Sequence, residues 1–253
     1  MQLIDSHCHL DDDRYDATRD QVVAQALAAG IDKIVIPATT ANRWEKVRQV
    51  SEAYPGVYAA YGLHPMFIEQ HQKNHLRELD EWLGRETAVA LGECGLDFYH
   101  SRRDEDWQKQ LFREQLQLAS NHRLPLIVHV RKAMDETISD LRKQPGCAGV
   151  IHSFAGSLQQ AQQLYDLGFK LGIAATVGFE RAKKLRAVVA TMPLDALLLE
   201  SDAPDQPGAL HCGELNQPAF ILEHLQTMAE LRQCDVAELA AALNRNCESL
   251  FGI

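Results

Sequence analysis

Residues able to bind metal recur in this 253-residue sequence, each just after a short apolar run. Asp5-Ser6-His7-Cys8-His9 sets two imidazoles two residues apart. Alternate side chains of an extended segment share a face, so His7 and His9 point the same way and can grip one cation. The alternative for an isolated His-x-His is a pair of exposed loop histidines. Cys8 turns to the opposite side and is read as packing. In Gly92-Glu93-Cys94-Gly95-Leu96-Asp97, Glu93 offers two oxygens, enough to bridge two ions about 3.5–4 Å apart. The flanking glycines argue for close backbone packing around it, and Asp97 is read as ordering the loop.

His129 follows Leu126-Ile127-Val128, and His152 follows Ala148-Gly149-Val150-Ile151. A histidine capping a buried apolar strand is costly unless hydrogen-bonded or ligated. Singly each reads as a structural histidine; together they make a second metal site. Arg131 lies beside His129 as a fixed cation suited to forked contacts with phosphate or carboxylate, or else as a surface ion-pair partner. In Leu199-Glu200-Ser201-Asp202-Ala203-Pro204, Asp202 is expected to bind metal and to orient or deprotonate an attacking water. Glu200, nearer the strand, is expected to support a ligand from behind or to face the substrate. Both acids could instead belong to a turn. His64, in Gly62-Leu63-His64-Pro65, is placed to touch substrate from the rim. His71, His75, His100, His122 and His224 show no such placement and are expected at the surface.

The elements that must position these groups alternate. Apolar runs near Leu3–Asp5, Lys33–Ile36, Val57–Tyr61, Ala88–Leu91, Leu126–Val128, Ala148–Ile151, Phe169–Gly172 and Leu197–Leu199 read as eight strands. Segments of helical period follow them, the last two near 218–231 and 236–250. Repeated strand–helix units with apolar strands imply a parallel sheet covered by helices. Eight of them predict an α/β fold: one (β/α)8 TIM barrel spanning residues 1–253, with the polar residues at the strand C-termini where barrel sites are built. A doubly wound open sheet is the alternative, weakened by the lack of Gly-x-Gly-x-x-Gly after the first strand.

Composition narrows the class. Hydrophobic residues make up 46% and charged residues 24%, the balance of a globular protein with a sizeable core. No apolar run is long enough to span a membrane, and Met1-Gln2-Leu3-Ile4-Asp5 lacks the features of a signal peptide. The six cysteines form no Cys-x-x-Cys pair, which with the absence of an export signal suits a reducing cytoplasm. A net charge of −10 argues against tight nonspecific binding of duplex DNA, although bound ions can reverse the sign locally.

With these residues in view, the sequence resembles the TatD family of metal-dependent hydrolases, and within it the YjjV branch. The matching stretches are Asp5–His9, Gly62–Pro65, Gly92–Tyr99, Pro125–Arg131, Ile151–Gly156 and Glu200–Pro204, in family order over nearly the whole chain. The resemblance implies a barrel of the amidohydrolase superfamily. It implies one ion on His7, His9, Glu93 and Asp202 and a second on Glu93, His129 and His152. It also implies phosphoester hydrolysis, of the deoxyribonuclease kind acting from the 3′ end of DNA. One segment departs from it: the basic Arg-Gly-Lys and Asn-Glu-Pro of many relatives correspond to His211-Cys212-Gly213-Glu214-Leu215-Asn216-Gln217-Pro218, which lacks basic residues and argues against DNA.

The leading expectation is therefore a monomeric cytoplasmic hydrolase with two divalent ions, zinc, manganese or magnesium, acting on a small phosphoester or a DNA end. Glu93 and Asp202 would be catalytic, and Arg131, His64 and Glu200 would meet substrate. Amide or ester hydrolysis, as in other amidohydrolase barrels, is the second reading. A metal-stabilised binding protein with a closed coordination shell is the third.

Overall fold

Eight apolar segments pair in chain order. The structure, a computed structural model, describes residues 1–99 and 104–253. Its strands are β1 (Leu3–Asp5), β2 (Ile31–Pro37), β3 (Val57–Tyr61), β4 (Ala90–Asp97), β5 (Leu126–Arg131), β6 (Gly149–Ile151), β7 (Phe169–Ile173) and β8 (Leu197–Leu199). Helices α1 (Arg19–Ala28), α2 (Trp44–Ala53), α3 (Lys73–Leu83), α4 (Glu105–His122), α5 (Met134–Arg142), α6 (Leu158–Asp166) and α7 (Lys183–Thr191) lie between them, and α8 (Ile221–Arg232) and α9 (Val236–Phe251) follow. The sheet order is β1 to β8, and every neighbouring pair is parallel.

The barrel closes just beyond the ends of β1 and β8. Ser6 N donates to Leu199 O at 3.0 Å, Asp202 N to His7 O at 2.9 Å and His9 N to Ala203 O at 2.7 Å. This seam brings His7 and Asp202, the two ends of the candidate ligand set, together, 195 residues apart in sequence.

Two apolar layers follow from the two faces of each strand. Ile4, Val35, Ala60, Ala90, Ile127, Val150 and Leu198 fill the barrel, closed at one end by Cys247 and Phe251 of α9. The opposite faces pack against the helices in the larger core, where Leu3, Ile34, Tyr61 and Leu171 meet Leu79, Leu116, Leu164 and Leu243. Capping fixes where helices begin: the Asp235 carboxylate accepts from Ala237 N and Glu238 N at the start of α9, and Ser157 and Gln160 form a capping box on α6.

Three expectations change. β4 extends to Asp97 and β5 to Arg131, so Glu93, Asp97, His129 and Arg131 are strand residues and not loop residues. The β4–β5 ladder pairs Cys94 with Val128 through Asp97 with Arg131; backbone pairing carries the strands on after the apolar run stops. The last helical segment but one opens with a tight 3-10 turn at Pro218–Phe220, and α8 starts at Ile221. His71 and His224 are buried. His71 Nε2 is bonded to His64 O at 2.8 Å and His224 Nδ1 to Glu200 O at 3.2 Å. His100 lies outside the described residues. Among the described residues no helix is long and apolar enough to cross a membrane.

Candidate metal centre

Strand parity delivers the polar side chains of the site. His129 stands two residues past Ile127, His152 two past Val150 and Glu200 two past Leu198, each following a barrel-filling residue and so turned to the barrel interior. Small residues make the room. A Cβ on Gly172 would lie 2.1 Å from Glu200 Oε2, and one on Gly92 would lie 2.6 Å from Ile127 Cβ. Asp202 adopts a left-handed backbone, φ +55°, at the seam where its amide is tied to His7 O.

Glu93 sits at the centre, 1% exposed. Its Oε2 lies 3.3 Å from His7 Nε2 and 3.4 Å from His9 Nε2. Its Oε1 lies 3.2 Å from His129 Nδ1 and 3.1 Å from His152 Nε2. Within each pair the imidazole nitrogens face one another, at 3.3 Å for His7 and His9 and 3.4 Å for His129 and His152. Asp202 Oδ1 joins the first pair at 3.7 and 3.9 Å. Neither Glu93 oxygen has a donor aligned for a hydrogen bond. Facing nitrogen lone pairs beside an unsatisfied buried carboxylate are unfavourable unless a cation or proton lies between them. The donor set, imidazole and carboxylate, suits zinc or manganese, so the residues fit a divalent ion at each pair.

Two of the outward nitrogens are hydrogen-bonded, as metal-binding histidines favour, while His7 Nδ1 and His152 Nδ1 have no hydrogen-bond partner among the described residues. His129 Nε2 is bonded to Asp97 Oδ2 at 3.0 Å, which leaves Nδ1 as the inward lone pair. His9 Nδ1 is bonded to Pro37 O at 3.2 Å. His152 Nδ1 lies 3.5 Å from Glu200 Oε1. His64 is different. Its Nδ1 accepts from Met66 N at 3.0 Å, so the neutral ring carries its proton on Nε2, 2.9 Å from Glu93 Oε1. His64, Glu93 and His129 have ligand atoms within 4.8 Å of one another, but that tautomer makes His64 a donor and not a ligand.

Charges follow from the geometry. Burial holds His64 down to about 4 and keeps it neutral. Burial also opposes charge on His9, but the Glu93 carboxylate outweighs it and lifts the imidazole to about 9. The same contest raises His152 and His129, with Glu93 the first opposing charge on His152 and Asp97 the first on His129. Burial resists ionisation of Glu93, and the imidazoles around it win, holding the carboxyl well below its usual range. Without metal the carboxylates thus favour protons on His9, His129 and His152, while burial holds His7 below its usual range; an ion binding those three rings would displace their protons.

A cavity of about 540 Å3 opens onto this cluster, lined by His9, His64, Glu93, His129, His152 and Asp202 and walled by Met66, Arg131, Ser153, Ala155, Thr176, Asp205 and Gln206. Nearly the whole chain, residues 4–252, matches the family model described as TatD related DNase. The chain belongs to the TatD family. It is 38% identical to the metal-dependent hydrolase YjjV of Escherichia coli K12, with 100% of this chain and 98% of that protein covered. It is 32% identical to YabD of Bacillus subtilis over 99% of each. The crystal structure of E. coli YjjV superposes with a TM-score of 0.95, covering 99% of this chain and 98% of that one. A TatD family protein of Entamoeba histolytica, 21% identical, shares the fold with a TM-score of 0.87, covering 99% and 98%. The chain is thus a metal-dependent hydrolase of the TatD type.

Within this TatD barrel, the structure brings His7, His9, Glu93, His129, His152 and Asp202 to one point. Arg131 is exposed at the cavity mouth, 3.5 Å above the Tyr99 ring. His64 lies against Glu93 and not on the rim. Glu200, expected to support a ligand or face the substrate, is wholly buried behind His152, outside the lining of the cavity, with Oε1 accepting from Ser153 N at 2.5 Å. The sequence reading missed three supports. Asp97 reaches across from β4 to His129, as well as accepting from Tyr99 N at 2.9 Å. Pro37 contributes only its carbonyl, which no side-chain pattern reveals. Asp5 pins both sides of the seam, its Oδ1 accepting from Ser201 N at 2.9 Å and His7 N at 3.2 Å. Burial lifts the Asp5 carboxyl to about 7.

Proposed function

We propose that this TatD-type hydrolase cleaves phosphoester bonds with two divalent ions, one held by His7, His9, Glu93 and Asp202 and the other by Glu93, His129 and His152. The observation that carries this is the division of Glu93: each oxygen of one buried carboxylate faces its own pair of imidazole nitrogens at 3.1–3.4 Å. When bound, such ions polarise a phosphoryl oxygen and lower the pKa of water. The chain's own residues do the rest. Asp202 orients the attacking water and takes its proton. Arg131, at the mouth, clamps substrate oxygens. His64 presents an N–H beside Glu93, where negative charge develops on the substrate. Asp97, Pro37 and Glu200 keep the imidazoles in register.

The substrate is a small phosphoester or an accessible DNA end. The net charge of −10 and the segment from Asp205 to Pro218, which contains no Lys or Arg, favour a substrate that needs little backbone contact. The open cavity supports an enzyme over a metal-stabilised binding protein. We infer one domain over residues 1–253 and a monomer of the cytoplasm, the latter in keeping with six free cysteines.

Purified protein loaded with Mn2+, Mg2+ or Zn2+ is to be assayed against nucleotides, short DNA, simple phosphoesters and acyl esters in parallel. Turnover confined to phosphoesters is expected, and turnover confined to acyl substrates overturns the reading. Glu93→Ala is expected to lose bound metal and turnover together; a metal-loaded Glu93→Ala that still hydrolyses phosphoesters contradicts it.

A further inference from the structure

Gln206 stands four residues past Asp202, on the cavity wall, in a left-handed backbone with φ +49°. Its amide Nε2 donates to Asp202 Oδ2. The same amide lies beside the Ser153 hydroxyl, with Nε2 3.1 Å and Oε1 3.3 Å from Ser153 Oγ. Its orientation is forced, because the flipped amide would set Oε1 against a carboxylate oxygen, acceptor against acceptor. Asp202 Oδ1 points the other way, toward His7 and His9 Nε2. The two oxygens therefore have separate duties, and only Gln206 holds the outer one among the hydrogen bonds of the described residues.

A carboxylate torsion is broad and two-fold, so an aspartate at a turn needs an outside contact to keep one oxygen aimed inward. Gln206 is itself anchored on the far side. Ser153 N donates to Glu200 Oε1, the carboxylate behind His152. A continuous polar chain thus runs from Asp202 through Gln206, Ser153 and Glu200 to His152, joining one imidazole pair to the other.

We propose that Gln206 is a positioning residue that fixes the Asp202 carboxylate and ties it to the shell of the second imidazole pair. This rests on the reading of Asp202 as a ligand. Outer partners of metal ligands typically carry about 10–100-fold in metal affinity, and because Gln206 is solvent-exposed the lower figure is expected.

The test uses the full-length protein and Co2+ alone, titrated by visible absorbance, with Tm of the metal-free protein measured beside it. Gln206→Met keeps length and removes the donor. It is expected to weaken one of two bound equivalents about tenfold and to alter the Co2+ spectrum, with Tm unchanged. Ser153→Ala, which loosens the anchor, is expected to act in the same direction by less. Asp202→Asn is the reference. If Asp202→Asn weakens Co2+ binding while Gln206→Met binds within twofold of wild type, the positioning role is overturned and the ligand reading stands. If Asp202→Asn also binds normally, the ligand reading falls and takes the proposal with it. A Gln206→Met that lowers Tm without touching Co2+ affinity or spectrum shows a structural role only, and overturns the proposal.

Discussion

Replacing Asp97 separates the support of the centre from the centre itself. Its Oδ2 accepts from His129 Nε2 at 3.0 Å, which fixes His129 Nδ1 as the inward lone pair. A hydrogen bond to a charged group is worth about 1.5–3 kcal/mol net, against about 0.5–1.5 kcal/mol for a neutral one. Asp97→Asn keeps an acceptor and the Tyr99 contact but loses the charge, so the expected cost is about 1–1.5 kcal/mol, or about tenfold in affinity for one ion. Asp97→Ala removes the contact outright, and the loss is expected to reach toward the 100-fold end of the usual outer-partner range of about 10–100-fold. A second effect has the opposite sign. Asp97 also raises the His129 pKa in the metal-free chain, so its removal eases proton competition for that ring. The two effects offset at low pH and only the loss remains at high pH. Competition against a chromophoric chelator from pH 6 to 9, with Tm of the metal-free protein as control, reads both. The affinity gap between wild type and variant is expected to widen as pH rises. Affinities within twofold of wild type at pH 9, for both variants, would refute the reasoning.

Three further outcomes follow from single contacts. Burial holds His224 at about 4 against an ordinary 6.5; its folded pKa is depressed, so its contribution is complete above pH 6.5 and lost as pH falls toward 4, on the order of 3 kcal/mol. Urea denaturation of wild type and His224→Gln at pH 7 and 4.5 checks this: the wild type is expected to lose the more stability on acidification, and equal losses refute it. Gly172→Ala drives a methyl to 2.1 Å from Glu200 Oε2; a cost of about 1–3 kcal/mol is expected from overpacking, seen as a lowered Tm together with weaker metal binding through the displaced Glu200. Arg131→Ala is expected to raise KM for phosphoesters about tenfold, the loss of one charged hydrogen bond, with little change in Tm because the side chain is exposed; an unchanged KM removes Arg131 from substrate binding.

The sequence by itself determined the strand count, the barrel and which polar side chains turn toward its interior. Ile127 to His129 and Val150 to His152 are two-residue steps, and the pleat turns such a step into a shared face whatever surrounds it. Where backbone pairing overrode side-chain character, the reading stopped short: β4 and β5 run on through Glu93 and His129 because their ladder continues past the apolar residues. Burial of His71 and His224 was equally out of reach, since each is satisfied by a backbone carbonyl, that of His64 across one short turn for His71 and that of Glu200 for His224, which no side-chain pattern shows. Only the tertiary structure decided how the candidate ligands are grouped and held. The division of Glu93 between two imidazole pairs, the reach of Asp97 to His129 and the retreat of Glu200 behind His152 all depend on distances between separate strands. A chain pattern fixes which face a side chain occupies; what it meets there is fixed by closure of the barrel, which brings the ends of β1 and β8 into contact.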